Sequence, residues 1–211
     1  PAPVYLADLD LMTAVSGYHF HGGAIAVGIR PRRDPDLADL TSDIPASGPL
    51  ALVALAGVTS MDNIGGIFRI AAALGASGIV LDDDASDPML RRTIRISMGQ
   101  VFRVPWARVG TLGEAIPELA STANIETIAI ENLDEATPLH QAAFPERVML
   151  VIGNEGHGIP PGILERCPNR IRIEGPSGLP SEEAPGGEDE RSLNAATAAA
   201  IALHAALRPR D

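Results

Sequence analysis

An unbroken apolar run, Leu50–Val58, limits the folds open to this chain, because a helical pattern follows it directly. A strand with one exposed face alternates apolar and polar residues, so a continuous run predicts a strand buried on both faces. The helical pattern begins at Asp62-Asn63, carries an apolar stripe as far as Leu74 and ends at Gly75. A buried strand followed at once by an amphipathic helix predicts a βαβ unit, in which helices cover a parallel sheet.

The same alternation of strand-like and helix-like segments continues through residues 50–211. Further strands are predicted at Gly78–Leu81, Val101–Val104, Thr127–Ile130, Val148–Ile152 and Arg170–Ile173. Helices are predicted at Pro88–Ser97, Leu112–Ser121, Gly162–Arg166 and Ser192–Leu207, the last capped by its serine. Aromatic residues make up only 3% of the chain, so its core is aliphatic, as suits a parallel sheet between helices. We therefore predict an α/β fold with a mostly parallel sheet flanked by helices.

Residues 1–45 do not share this rhythm, and we predict that they are the tail of a different small domain followed by a linker. The candidate elements there are Val4–Ala7, a short helix at Asp8–Ser16, and Ala24–Ile29. The stretch Pro31–Pro49 contains four prolines and several aspartates, which is linker composition. The predicted domains are therefore 1–45 and 46–211. Because the chain begins at Pro1 without a methionine, we expect a truncated or processed chain.

The formal net charge of −11 argues at first against a nucleic-acid-binding protein. Ten of the 27 acidic residues, however, lie in two runs, Asp82–Asp87 and Glu174–Glu190, and the other 17 nearly balance 16 basic residues, all arginine. The single cysteine, Cys167, forms no internal disulfide, which predicts a structural thiol in a reducing cytoplasm. No apolar run approaches the roughly 18 residues of a membrane span, so no membrane partner is predicted.

Polar residues follow the predicted strand Leu50–Val58 at the edge where open parallel sheets bind ligands. Asn63 and Arg69 are six positions apart, nearly two helical turns, which predicts that they face roughly the same way. Arg69 lies between Phe68 and Ile70 on an otherwise apolar helix. A buried arginine needs an anion or a carboxylate, so either a ligand or a structural salt bridge is expected.

Two later segments also follow predicted strands. Gly153–Gly158 reads GNEGHG, and its three glycines allow positive φ or a close approach of the backbone to a ligand. This spacing is neither a dinucleotide fingerprint nor a P-loop. His157 is interpreted as a solvent-facing loop histidine, with a general base as the alternative. Ser192-Leu193-Asn194 opens the final helix, where a serine N-cap alone would explain it.

Taken together, these segments resemble the three signature motifs of the SpoU/TrmH family in the SPOUT superfamily. The similarity is carried by residues 62–75, 151–158 and 192–201, and it extends over 50–207, including the segment 91–106. The N-terminal piece, through Tyr18–Gly28, resembles the end of the ribosomal-protein-like RNA-binding domain that many members carry. The resemblance implies a C-terminal deep trefoil knot in the α/β domain.

The resemblance further implies methylation of a ribose 2′-hydroxyl in structured RNA, either tRNA or rRNA, with S-adenosylmethionine as cofactor. It implies a homodimer whose RNA site is built across the interface, and no metal. The implied catalytic residues are Arg69, which orients the substrate phosphate and helps activate the hydroxyl, and Asn63, Glu155, Ser192 and Asn194, which shape the pocket. The implied cofactor-binding residues are Ile152, Gly153, Gly158, Ile173 and Leu193.

Two other interpretations stay open from the sequence. A non-catalytic RNA-binding or dimerisation module derived from this family is favoured by the negative charge and by the acidic loop 175–190. That loop is expected to repel phosphate unless it moves away or folds over the unliganded site. A nucleotide-binding enzyme of ordinary doubly wound type is disfavoured, because the glycine fingerprint is missing.

Overall fold

The computed structural model describes residues 2–174 and 193–208, and the chain divides into two compact units, 1–33 and 34–211. The predicted loop 175–190 and the predicted site residue Ser192 lie outside the described residues.

The first unit contains one helix, α1 (Leu9–Ser16), in its described part. The Asp8 side chain caps it by accepting a hydrogen bond from the Leu11 N–H at 2.8 Å, and Gly17 ends it in the left-handed conformation. The predicted short helix is therefore confirmed. Val4–Ala7 and Ala24–Ile29 form no regular structure, and most of their large apolar side chains are exposed.

The described part of the second unit is built on one seven-stranded sheet in which every pairing is parallel. Its strands are β1 (Leu50–Leu55), β2 (Gly78–Leu81), β3 (Trp106–Arg108), β4 (Glu126–Ile130), β5 (Thr137–Pro138), β6 (Arg147–Ile152) and β7 (Asn169–Arg172). Their order across the sheet is β3-β2-β1-β6-β4-β7-β5. The predicted α/β fold with a parallel sheet is thus confirmed.

The burial of β1 on both faces of the sheet explains why its sequence is apolar throughout. Ala51, Val53 and Leu55 join the core on one face of the sheet, whereas Leu52 and Ala54 join the core on the other. Because both faces are covered, every position of the strand is buried and none needs a polar residue.

Helices cover both faces. One face carries α3 (Met61–Leu74), α4 (Arg91–Ile96) and α7 (Ala195–Ala206), and the other carries α2 (Leu37–Asp43), α5 (Leu112–Ala123) and α6 (Pro161–Leu164). Helix α7 packs on α3 and also contacts β1 and β6. Strand β7 lies on the far side of β4, so it is separated in the sheet from β1 and β6, which α7 contacts.

The predicted linker Pro31–Pro49 contains a helix, so that prediction is wrong over α2. Asp36 and Asp39 form a reciprocal capping box at its start, and Leu37 and Leu40 are buried in the core. The chain after α2 is held by Arg147, whose guanidinium donates to the carbonyls of Pro45 and Gly48 at 3.1 and 2.9 Å. Helix α2 consequently belongs to the second compact unit rather than to an N-terminal segment.

The predicted strand Val101–Val104 is also wrong. Met98 and Gly99 both have positive φ, and a 3₁₀ turn follows at Gln100–Phe102. Val101 and Val104 are buried three positions apart, which is the period of a 3₁₀ helix rather than of a strand. The strand β3 begins only after Pro105, at Trp106.

Candidate active site

The strand ends that flank the centre of the sheet carry the candidate site. Strands β1 and β6 are neighbours, but the chain leaves them in opposite directions, towards β2 and towards β7. Such a switch point opens a crevice beyond the carboxyl ends of the strands. The Asn154 Nδ2 donates to the Gly57 carbonyl at 2.9 Å, which ties the loop after β6 to the loop after β1.

Asp82, at the end of β2, holds the same loop from the other side. Its carboxylate accepts from the Gly57 N–H at 2.8 Å and from the Ala85 N–H at 2.9 Å. The side chain is buried, and this burial raises the pKa of Asp82 above its ordinary value, while the two hydrogen bonds oppose the shift. Asp82 therefore fixes the path of the chain into α3.

The first and third predicted motifs meet through one hydrogen bond. Asn63, in the first turn of α3, is buried, and its Oδ1 accepts from the Nδ2 of Asn194 at 2.6 Å. Asn194 also caps α7, because its Oδ1 accepts from the N–H groups of Ala196 and Thr197 at 3.0 and 3.2 Å. The N-cap of this helix is thus Asn194, not Ser192 as predicted. We call the group Gly57, Asp82, Asn154, Asn63 and Asn194 the strand-end corner.

The glycines of the segment Gly153–Gly158 are required by the loop itself. A Cβ on Gly153 would lie 2.6 Å from the Gly158 carbonyl oxygen and 2.6 Å from the Ile159 nitrogen. Gly158 has φ +65°, and a Cβ there would lie 2.6 Å from the Glu131 carboxylate. The predicted positive φ therefore occurs at Gly158, whereas the close approach found at Gly153 is to backbone of the same loop and not to a ligand.

Glu131 is a site residue that the sequence reasoning missed. It directly follows β4, and its Oε2 accepts from the Ile159 N–H at 2.8 Å while its Oε1 accepts from the Asn132 N–H at 3.2 Å. The signal was present, because a polar residue after a buried apolar strand marks the ligand edge in the same way as Asn63 does. Asn154 belongs to the predicted segment Gly153–Gly158, but it is not among the residues predicted to be catalytic or cofactor-binding.

Arg69 does not share a face with Asn63, so that prediction is wrong. Each helical residue turns by about 100°, and six residues leave Arg69 about 120° around α3 from Asn63. Arg69 is exposed, whereas Asn63 is buried. Its guanidinium makes no hydrogen bond or ion pair with any other described residue, so the expected structural salt bridge is also not found among them.

Arg69 instead lines an open groove of about 510 Å³ on the outer side of α3. The other side chains that border the groove are Arg103, Met98, Gln100 and a set of small or apolar residues: Ala71, Ala72, Ala73, Gly75, Ala76, Val104 and Pro105. We call it the arginine groove. It lies near the far end of α3 from Asn63.

The remaining predicted residues have varied surroundings. Glu155 is exposed and makes no contact with the described residues that would orient it. Ile152 is buried in the sheet, Ile173 is half-buried, and Leu193 has 40% of its surface exposed. Gly153 directly follows β6, so its backbone groups lie at the edge of the sheet where ligands bind. The edge therefore offers backbone donors and acceptors beside an apolar side chain.

Cys167 and His157 match their simpler interpretations. The Cys167 Sγ is buried and donates to the Ile163 carbonyl at 3.3 Å, and burial raises the pKa of this thiol to about 11. A thiol of that kind is a structural group rather than a nucleophile. His157 is exposed on the loop after β6.

The fold and the strand-end corner define a class: α/β proteins whose ligand edge lies at a switch point of a parallel sheet. Within that class, the chain belongs to the SpoU rRNA Methylase family, whose family model matches residues 51–204. The resemblance read from the three motifs is therefore confirmed.

Sequence relatives agree with this membership. The chain is 32% identical over 206 residues to an uncharacterized tRNA/rRNA methyltransferase of Mycobacterium tuberculosis, with 96% of the chain matched. It is 25% identical over 207 residues, 98% of its length, to the 23S rRNA (guanosine-2′-O-)-methyltransferase RlmB of Acinetobacter baylyi, of which it covers 79%. The chain spans 65% of the length of the mycobacterial relative.

A solved structure agrees as well. The AdoMet-bound rRNA methyltransferase from Sinorhizobium meliloti superposes with a TM-score of 0.67 and 30% identity, covering 82% of this chain and 60% of that one. No helix among the described residues is long and apolar enough to cross a membrane. No three His, Cys, Asp or Glu side chains come together as a metal-binding group in the described ranges.

Proposed function

We propose that this chain is an RNA methyltransferase that transfers a methyl group from S-adenosylmethionine to a ribose 2′-hydroxyl of tRNA or rRNA. The observation that carries the proposal is the Asn63–Asn194 hydrogen bond, which joins residues 131 positions apart at the carboxyl edge of β1. It brings the first and third family motifs to one corner. The ribose specificity is supported by the similarity to RlmB, and the cofactor by the AdoMet-bound relative.

The strand ends fit a nucleoside cofactor. The backbone of Gly153, at the end of β6, suits the edge of a base, and the exposed part of Leu193 suits its apolar face. We propose that Ile152, Gly153, Gly158, Ile173 and Leu193 surround the adenosine. When bound, S-adenosylmethionine supplies a methyl carbon made electrophilic by its cationic sulfur.

The residues of the chain then have to position and activate a weak nucleophile, the ribose hydroxyl. In the proposal the Arg69 guanidinium forms a charge-assisted hydrogen bond to the adjacent substrate phosphate. It also stabilises the negative charge that develops on the 2′ oxygen as its proton leaves. Asn63 and Asn194, held together, orient that hydroxyl, and Ser192 and Glu155 complete the pocket.

The direction of Arg69 supports a homodimeric site. Arg69 points away from the corner of its own chain, about 120° around α3 from Asn63. A second copy that packs against α3 would receive Arg69 in its own strand-end corner. We therefore propose a homodimer, with each RNA site built from both copies.

Two further parts of the proposal come from the family resemblance. The N-terminal segment predicted over residues 1–45 is proposed to be the remnant of an RNA-binding domain with its linker, and the α/β domain is proposed to contain a C-terminal deep trefoil knot. A crystal structure with S-adenosylmethionine bound, traced through 175–192, would test the knot.

The experiment that tests the activity is methyl transfer from tritiated S-adenosylmethionine to unmodified tRNA and rRNA, followed by alkaline hydrolysis. A 2′-O-methyl group blocks cleavage of the neighbouring phosphodiester, so tritium is expected in alkali-resistant dinucleotides. Tritium in mononucleotides alone would mean base methylation and would overturn the ribose specificity.

Calorimetric binding of S-adenosylmethionine is the companion measurement, because a missing RNA substrate would mimic an inactive enzyme. Binding by the wild type, and loss of binding on substitution of Leu193 by Asp, is expected. No binding at millimolar cofactor would favour the non-catalytic RNA-binding module instead.

A further inference from the structure

The arginine groove has a charge pattern unlike the rest of this acidic chain. Two arginines, Arg69 and Arg103, border it, and no aspartate or glutamate within residues 2–174 or 193–208 does. Neither guanidinium makes a hydrogen bond or ion pair with another described residue. Two unpartnered cations on one concave surface form a site for an anion with more than one charged oxygen.

Several other arginines of the chain have partners within it, whereas the two that border the groove have none among the described residues. Arg108 and Arg147 donate to backbone carbonyls, and Arg92, Arg170 and Arg172 form ion pairs with carboxylates. A second hollow on the other side of Arg103 is lined by Asp39 and Asp43, but Arg103 pairs with neither. Its charge is therefore available to the groove.

The turn that carries Arg103 is held rigidly. Met98 and Gly99 adopt positive φ, and Met98 does so without the freedom of a glycine. Val101 and Val104, on either side of the arginine, are buried at 2% and 6% exposure. The backbone that carries Arg103 therefore has little freedom left to lose when a ligand binds.

Met98 gives the groove an apolar element. Its side chain is 67% exposed, which is unusual for methionine, and it lies on the same groove as both arginines. Thioether groups are polarisable and pack well against aromatic rings. An anion that also carries an aromatic ring would use both features.

We propose that the arginine groove binds the RNA backbone beside the target nucleotide, with Arg103 as a phosphate-binding residue and Met98 contacting a base. This inference rests on the proposed function for its choice of RNA, and it assigns to Arg103 and Met98 roles that the motifs do not contain. Arg69, already directed at a substrate phosphate, continues the same backbone track. We choose RNA as the ligand because its phosphates supply repeated negative charges for the two arginines and its bases supply rings for Met98. A simple anion has no such ring.

The test measures fluorescence anisotropy of a labelled 12-nucleotide oligouridine with the 211-residue chain, between 20 and 150 mM KCl. Arg103→Ala is expected to raise the Kd at the lowest salt by about 5- to 20-fold and to reduce the slope of log Kd against log salt by about 0.7 to 1. Met98→Ala is expected to raise the Kd by about 3-fold with an unchanged slope. The matched control is Arg166→Ala, an exposed and unpartnered arginine near α6, on the other face of the sheet, which is expected to change neither.

The inference is overturned if Arg103→Ala behaves as Arg166→Ala does, or if no binding of the oligouridine is measurable. It is also overturned if a 12-residue polyglutamate competes as well as RNA, since the groove would then fit acidic peptides. Sedimentation equilibrium of Arg103→Ala provides the last test. A changed dimerisation constant, with an unchanged slope of log Kd against log salt, would overturn the inference and make the groove a contact between copies. Calorimetry with S-adenosylmethionine on the same samples separates the two proposals, because lost cofactor binding removes the proposed function without altering the slope.

Discussion

The strand-end corner and the arginine groove lie near opposite ends of α3, and they treat polar groups in opposite ways. In the corner, Asn63, Asp82 and Asn154 each have a partner within the chain, at 2.6 to 2.9 Å. In the groove, Arg69 and Arg103 have none among the described residues. Polar groups that are satisfied internally hold a shape, whereas polar groups left unsatisfied at a surface are free to bind something else.

This contrast separates two kinds of mutational effect. Substitutions in the corner should lower the free energy of unfolding, because they remove bonds that the folded state has and the unfolded state lacks. Substitutions in the groove should leave it nearly unchanged and should act on binding or catalysis. The family motifs, which contain both Asn63 and Arg69, conceal this division.

The largest effect is expected for Arg69→Ala. We expect kcat/KM for RNA methylation to fall by about 100-fold or more, since the proposed activation of the hydroxyl by Arg69 would be lost, while the free energy of unfolding changes by less than about 0.5 kcal/mol. Tritium transfer measures kcat/KM, and urea unfolding measures the free energy of unfolding. Arg166→Ala, which removes the same charge elsewhere, should preserve both. A loss of stability above about 1 kcal/mol would place Arg69 among the structural residues instead.

Gly153→Ala should give the largest loss of stability. Its Cβ would overlap the backbone of Gly158 and Ile159, so the loop has to move, at a cost of about 2 kcal/mol. Gly162→Ala is the control, because a Cβ at that helical position meets no atom within 4 Å. It should be neutral or stabilise by about 0.5 kcal/mol. Equal urea midpoints for the two variants would contradict the close approach.

Asp82→Asn should cost about 1.5 kcal/mol at neutral pH, because an amide accepts through only one of its two atoms and leaves one backbone N–H unpaired. Burial raises the pKa of Asp82, so its charged form is disfavoured in the folded state. The stability of the wild type therefore falls, relative to the variant, as pH rises through the window above the ordinary pKa of aspartate.

Urea unfolding at several pH values measures this difference between the wild type and Asp82→Asn. The exposed neighbour Asp83 gives the control, since Asp83→Asn should leave the same pH dependence as the wild type. A gap that widens with increasing pH would contradict the direction of the Asp82 shift.

Asn194→Ala should give the smallest of these effects, about 1 kcal/mol, through loss of the α7 cap. Asn194→Asp keeps an acceptor for the cap, and the Asn63 amide can turn to donate to it. The aspartate variant should therefore retain most of the stability that the alanine variant loses. Thermal unfolding of the pair measures this, and equal losses in the two variants would contradict the cap as the source of the lost stability.

Local patterns predicted the frame of the fold but not the direction of single side chains. The strand Leu50–Leu55 was predictable because a strand buried on both faces needs apolar residues at every position. The turn at Val101–Val104 was misread because four residues of mostly apolar sequence fit a strand and a 3₁₀ turn equally well. Helix α2 was hidden by prolines, although Asp36 and Asp39 carry a reciprocal cap.

For the candidate site, the sequence pointed to individual residues but not to how they are arranged in space. Asn63 and Asn194 were identified, but their pairing depends on how α7 packs on α3, which no local pattern contains. The error at Arg69 was one of helical phase, and it placed an exposed cation on a buried face. Glu131 was missed because a single acidic residue after a strand carries no motif.

The pairing of Asn63 with Asn194 also sets the order in which the protein matures on the ribosome. Strand β1 and helix α3 emerge early, but α7 follows all seven strands, so the corner stays open until the chain through Ala206 has left the exit tunnel. Nascent chains therefore carry the first half of the site without being able to complete it. A premature stop after β7 and before α7 leaves all seven strands of the sheet but an unfinished corner.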